Sequence, residues 1–131
     1  MNEKEDINKY IEYRITKSNQ SLKAARLMIE SGFYDEGINR LYYSCFYIVS
    51  AFLFKNDIES KTHAGVRNMV HKHLVQTNLI SPEAGYFYSV IFDRRQAGDY
   101  EDFINYEKDK AEGLLKDTEL FLAAVGKLLS H

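Results

Sequence analysis

Apolar residues recur along nearly the whole chain at intervals of three, four or seven, the period that lines one face of an α-helix, and no stretch alternates apolar and polar residues as a half-buried strand does. This spacing predicts a first helix from about Asp6 to Ser31, with Ile7, Ile11, Ile15, Leu22, Ala25 and Ile29 as a narrow stripe and Gly32 as its stop. Asp35 reads as the N-cap of a second helix ending near Asn56. Its stripe of Ile38, Leu41, Tyr42, Cys45, Phe46, Val49, Phe52 and Leu53 is broad enough to place it at the centre of the fold. A short, basic third helix covers roughly Thr62 to Thr77, turning Val66, Met69, Val70, His73 and Leu74 wholly or half inward. Ser81-Pro82-Glu83 is a start signal, with Ser81 as N-cap and Pro82 in the first helical position. The fourth helix then runs through Phe87, Val90 and Ile91 to Arg95 or Ala97, with Gly98 ending it. After a turn at Asp99-Tyr100, a fifth helix extends from about Asp102 to Ser130 along Phe103, Tyr106, Leu114, Phe121, Val125 and Leu128.

Five helices with short connections predict an all-α, five-helix up-and-down bundle, built as a four-helix core with the short third helix as an insert. At 131 residues, with no linker-like segment, the chain reads as one helical domain over 1–131. A hydrophobic share of 45%, with ten tyrosines and eight phenylalanines, supplies a core without disulfides or a metal. The lone Cys45 lies in an apolar run and reads as a small core residue. The charged start Met1–Asp6 has no apolar segment behind it, and the run Cys45–Phe54 is about half of what a bilayer span needs, so a soluble, cytoplasmic protein with no membrane contact is expected. A net charge of −2 excludes a generic basic coat for nucleic acid, so any such contact is local.

Three places carry residues that a core alone does not demand. On the second helix, Asn39 and Tyr43 are four apart and share a face. They read either as a buried hydroxyl satisfied by an amide or as polar groups of a site. At the head of the third helix, Lys61-Thr62-His63 places a cation, a hydroxyl and an imidazole where backbone N–H groups favour an anion. Simple capping accounts for Thr62 but not for His63. The third place is Arg94-Arg95-Gln96-Ala97-Gly98-Asp99-Tyr100, where a guanidinium pair precedes a carboxylate. Arg95 and Asp99, four apart, can form a local ion pair or hold an anion together. His63, His71 and His73 have no Cys or carboxylate at a recognisable ligand spacing, so neither a metal nor another cofactor is expected.

Taken in order, Gly32-Phe33-Tyr34, Asn39-Arg40-Leu41-Tyr42-Tyr43-Ser44, Lys61-Thr62-His63 and Arg95-Gln96-Ala97-Gly98-Asp99-Tyr100 resemble the HEPN family of small helical bundles, over about Ser21 to Leu129. The resemblance implies a homodimer paired with a minimal nucleotidyltransferase in a toxin–antitoxin system, binding RNA or a nucleotide. It also implies, in many members, a metal-independent endoribonuclease whose site is an arginine followed after four to six residues by a histidine. Here that histidine is missing: the positions counted from Arg95 are Tyr100, Glu101 and Asp102, and from Arg94 they are Asp99, Tyr100 and Glu101. On this reading Arg95, Asp99 and His63 are the candidate catalytic residues. Arg94, Arg95, Tyr100, Lys61, Asn39 and Tyr43 are the candidate nucleotide- or RNA-binding residues. His63 replaces the missing histidine only if the bundle brings it to Arg95. Tyr100 is the nearest counterpart of the tyrosine that some members have adenylylated. Three functions stay open: an RNA- or nucleotide-binding partner of a nucleotidyltransferase, an active ribonuclease toxin, and a noncatalytic bundle in which these groups fix register.

Overall fold

A computed structural model describes residues 3–100 and 106–130, with the side chains of 96–100 outside the description. Five helices form the bundle: α1 (Glu3–Glu30), α2 (Tyr34–Lys55), α3 (His63–Val70), α4 (Pro82–Tyr100) and α5 (Lys108–Leu128). α2 is the central element. Eleven of its 22 residues are buried, and it packs against each of the other four helices, as its wide apolar surface requires.

α1 buries the narrow stripe Ile11, Ser18, Ser21, Ala25 and Ile29, whose small members let it approach α2 closely. At the crossing the two helices exchange hydroxyl bonds: Ser18 Oγ donates to the Ser44 carbonyl at 2.7 Å, and Ser44 Oγ donates to the Ser18 carbonyl at 2.8 Å. Gly37 holds the same contact near its other end. A Cβ built there would lie 2.6 Å from Ile29 Cγ1 and 3.4 Å from the Ala25 carbonyl oxygen.

The turn after α1 is closed by Gly32 at φ +87°, with Phe33 N bonded to the Met28 carbonyl and Gly32 N to the Ile29 carbonyl. This is the left-handed helix ending that glycine favours. α2 ends the same way with Asp57 at φ 58°, and Asn78, at φ 62°, terminates the stretch after α3. Short polar side chains tolerate this backbone better than other non-glycine residues do.

Four boundaries differ from the expected ones. Asp35 is not the N-cap of α2. The helix starts at Tyr34 behind Phe33, and the Asp35 carboxylate instead accepts from Tyr106 N at 3.3 Å. The third helix is not one continuous element: α3 gives way at His71–Val75 to a π-helical turn packed against Gly85 of α4. Gly98 does not end α4, which is helical through Tyr100 because an interior glycine costs only about 1 kcal/mol. Arg94 to Tyr100 therefore forms the last turns of α4. α5 begins at Lys108, so Tyr106 precedes it, while Asp102 and Phe103 lie outside the described residues. The expected start of α4 holds, since Ser81 Oγ accepts from Ala84 N at 3.1 Å beside Pro82. The seam of α5 also holds, with Leu114, Phe121 and Val125 buried. Cys45 is fully buried, and burial raises its thiol well above the ordinary range. Among the described residues no helix is long and apolar enough to cross a membrane.

Candidate functional site

α2 and α4 pack against each other, which brings Arg95 of α4 over consecutive tyrosines of α2. Arg95 Nη2 donates to the Tyr43 hydroxyl at 3.1 Å, and its guanidinium carbon stands 5.4 Å from the Tyr42 ring centre and 5.5 Å from that of Tyr43. The two rings meet edge to face at 5.3 Å. A guanidinium held against two aromatic rings loses side-chain freedom. Tyr43 is thus met by Arg95 rather than by the amide of Asn39.

His63 is the first residue of α3, placed there by the Thr62 cap, whose Oγ1 accepts from Gly65 N at 2.9 Å. Its Nδ1 shares a 2.7 Å hydrogen bond with the Tyr42 hydroxyl, and its ring lies 4.6 Å from Phe46 and 5.9 Å from Tyr43. His63 and Arg95 therefore sit on the same two tyrosines, 32 residues apart in sequence but adjacent in the bundle. Burial, reinforced by the positive charge of Arg95, lowers the His63 pKa below its ordinary value. Burial also pushes the Tyr42 phenol up to about 12, against the pull of the neighbouring Tyr88 hydroxyl and of Arg95. At neutral pH the pair is a neutral imidazole bonded to a neutral phenol.

On its other side Arg95 borders a cleft of about 320 Å³ lined also by Asn39, Arg40, Arg94, Asp35 and Tyr106. Tyr106 ties the cleft together: its backbone N–H donates to Asp35, and its hydroxyl donates to the Arg94 carbonyl at 3.3 Å. Three guanidinium groups on one concave surface favour phosphate or carboxylate, offset in part by the carboxylates of Asp35 and Glu36, which line the same cleft.

The fold brings together Arg94, Arg95, Asn39, Tyr43 and His63. It does not bring in Lys61, which is exposed and lines a separate groove with Tyr10, Arg14 and Phe54. The side chains of Asp99 and Tyr100 lie outside the described residues. Among the described residues no three His, Cys, Asp or Glu side chains gather as metal ligands would. His71 Nε2 instead lies 3.0 Å from Ser89 Oγ. Four contributors were not picked out from the sequence: Tyr42, Phe46, Arg40 and Tyr106. The first two fit the apolar stripe of α2 and Arg40 reads as a solvated neighbour of Asn39. Only contacts between helices distinguish them.

The sequence matches the HEPN domain family over residues 11–128. It is similar to a UPF0332 protein of Thermotoga maritima, 33% identical over 129 residues, which is 98% of this chain and 96% of that protein. It is also similar to two proteins of Methanocaldococcus jannaschii. One, named "Putative toxin MJ0142", is 36% identical over 119 residues, covering 91% of this chain and 81% of its own. The other, named "Putative toxin MJ0605", is 27% identical over 126 residues, covering 96% and 93%.

Proposed function

The chain belongs to the HEPN domain family, and from that premise we propose that it binds RNA or a nucleotide through phosphate in the cleft between α2 and α4. It acts in the cytoplasm as a homodimer and as the toxin-type partner of a minimal nucleotidyltransferase. The observation that carries this reading is the cleft where Arg40, Arg94 and Arg95 converge with Asn39, with Arg95 held on Tyr43 at 3.1 Å. The two relatives named as toxins support the biological setting. Phosphate is the expected ligand because guanidinium groups meet it through paired N–H donors, and an arginine held on an aromatic face loses less freedom on binding. The test is fluorescence titration with a 5'-labelled single-stranded RNA and with a nucleoside diphosphate. Arg95→Ala combined with Arg40→Ala should weaken both by roughly tenfold or more. Affinity unchanged in that variant would overturn the reading. Light scattering of the purified protein should give twice the chain mass, and a monomer would remove the dimer.

A second reading follows from the neutral His63 at the tyrosines that Arg95 shares. A neutral imidazole can take the proton of an RNA 2'-hydroxyl. The 2'-oxygen then attacks phosphorus, and the 5'-oxygen departs with a proton from solvent, while Arg95 holds the phosphoryl oxygens. Cleavage of single-stranded RNA in EDTA that His63→Ala abolishes supports this chemistry. Absence of cleavage at high protein concentration leaves the binding reading alone.

A further inference from the structure

The groove that holds Lys61 adjoins His63 through Phe46, whose ring lies 4.6 Å from the imidazole and which also lines the groove. It encloses about 320 Å³ between α1, α2 and the segment that follows α2. Its lining sets the rings of Tyr10, Phe46 and Phe54 beside two cations, Arg14 and Lys61, and two carboxylates, Asp57 and Glu59. Tyr10 packs on Phe54 with ring centres 4.3 Å apart and lies 6.4 Å from Tyr13. Arg14 donates from Nε to the Tyr10 hydroxyl at 3.0 Å and stands over both Tyr10 and Tyr47, at 5.1 and 5.6 Å, while Lys17 lies 5.7 Å from the Tyr13 ring. Tyr13 is 54% exposed and Phe54 40%, so both side chains remain accessible to solvent.

Helix α2 links this groove to the Arg95 site. Tyr47 lies 6.2 Å from Tyr43, the tyrosine that receives Arg95. From Tyr43 to Phe54 along α2 the path is about 16 Å, the length of about five stacked nucleotides. Accessible aromatic rings alternating with guanidinium and ammonium groups match the bases and phosphates of a single strand, since every base has a face to stack and every phosphate a charge to meet. Arg14, Lys17 and Lys61 among these rings supply the countercharge that a strand's phosphates require. Asp57 and Glu59 line the groove as well, so a strand's phosphates are met by Arg14 and Lys61 and kept from those carboxylates.

We infer that the groove of Tyr10, Arg14, Phe54 and Lys61, with Tyr13 at its margin, is a second subsite for single-stranded RNA, where bases stack without sequence preference while the cleft at Arg95 takes a phosphate. The inference rests on the proposed RNA or nucleotide binding at that cleft and extends it to a strand of several nucleotides. A dinucleotide is too short to reach both places.

The test uses labelled oligouridine of ten residues and of two, titrated against the full chain. Tyr10→Leu with Tyr13→Ala should weaken the ten-mer about tenfold and leave the two-mer unchanged. Lys61→Ala with Arg14→Gln should flatten the salt dependence of ten-mer binding by about one unit of slope. If the double tyrosine variant does not fold, judged by circular dichroism, Tyr13→Ala and Lys61→Ala alone, both at exposed positions, carry the same comparison. Ten-mer affinity unchanged in these variants, while Arg95→Ala still weakens it, overturns the second subsite and leaves the cleft standing. Wild type that binds neither oligomer overturns both. A shift from dimer to monomer in the tyrosine variant shows instead that the surface joins two copies, and overturns the inference as well.

Discussion

The hydroxyl of Tyr42 and Nδ1 of His63 share a 2.7 Å hydrogen bond across the α2–α3 contact. This bond orients the imidazole and leaves Nε2 as the ring nitrogen for a ligand. Because the phenol is pushed up to about 12 and the imidazole is held below its ordinary 6.5, both stay neutral across the physiological range. Tyr42→Phe keeps the ring and removes the bond, so it should cost about 1 kcal/mol in chemical unfolding. An unchanged midpoint would show that the bond contributes nothing to stability.

The lowered pKa of His63 also sets a pH dependence. Unfolded, the imidazole titrates near 6.5; folded, it titrates lower. Between those values the unfolded chain binds the extra proton, so the contribution of His63 to stability is complete above about 6.5 and declines as the pH falls to the folded value. Urea unfolding of wild type and His63→Gln at pH 7.5 and 5.5 should show the gap between them changing in that direction. A gap that is the same at both values would contradict the lowered pKa.

Arg95→Ala tests the electrostatic link directly. Burial remains but the nearby positive charge goes, so the His63 pKa should rise part of the way back to its ordinary value in an NMR titration. No change would mean that the guanidinium does not reach His63. Arg95→Lys should restore part of the charge effect but not the stacking on Tyr42 and Tyr43.

Of the two carboxylates lining the arginine cleft, Asp35 and Glu36, Asp35 is the one bonded to Tyr106 N. Asp35→Asn keeps an acceptor for Tyr106 N and removes the negative charge. Pyrophosphate binding at low salt should therefore tighten by about two- to fivefold, and the gain should shrink as salt screens the site. Calorimetric titration at two ionic strengths measures both effects. Weaker binding in the variant would place the anion elsewhere.

Gly37→Ala separates backbone propensity from packing. In an isolated helix the change is favourable by about 1 kcal/mol, but here the added methyl meets the buried Ile29 at 2.6 Å. Overpacking costs about 1–3 kcal/mol and should win, lowering the melting temperature. A rise would show that Ile29 can move aside.

Helix periodicity made the bundle legible, because each helix buries one face and that face repeats every three to four residues: Leu114, Phe121 and Val125 in α5 show it plainly. The start of α4 was legible too, since capping chemistry is local. The ends were not. Gly98 reads as a stop, yet α4 continues, and Asp35 reads as a cap, yet its carboxylate bonds to Tyr106, 71 positions away.

The candidate site divides along the same line. Residue types and their order in the chain determined which groups could act: arginines in sequence at 94 and 95, an imidazole at the head of a helix, and Asn39 with Tyr43 on the most apolar helix. Only the packing of α2 against α3 and α4 decided that His63 and Arg95 meet on Tyr42 and Tyr43 and that Arg40 joins the cleft. The same packing sends Lys61 to a different groove. The physical reason is range. Periodicity and capping act within a few residues along the chain, whereas a guanidinium resting on an aromatic ring and a phenol bonded to an imidazole depend on how whole helices settle against one another.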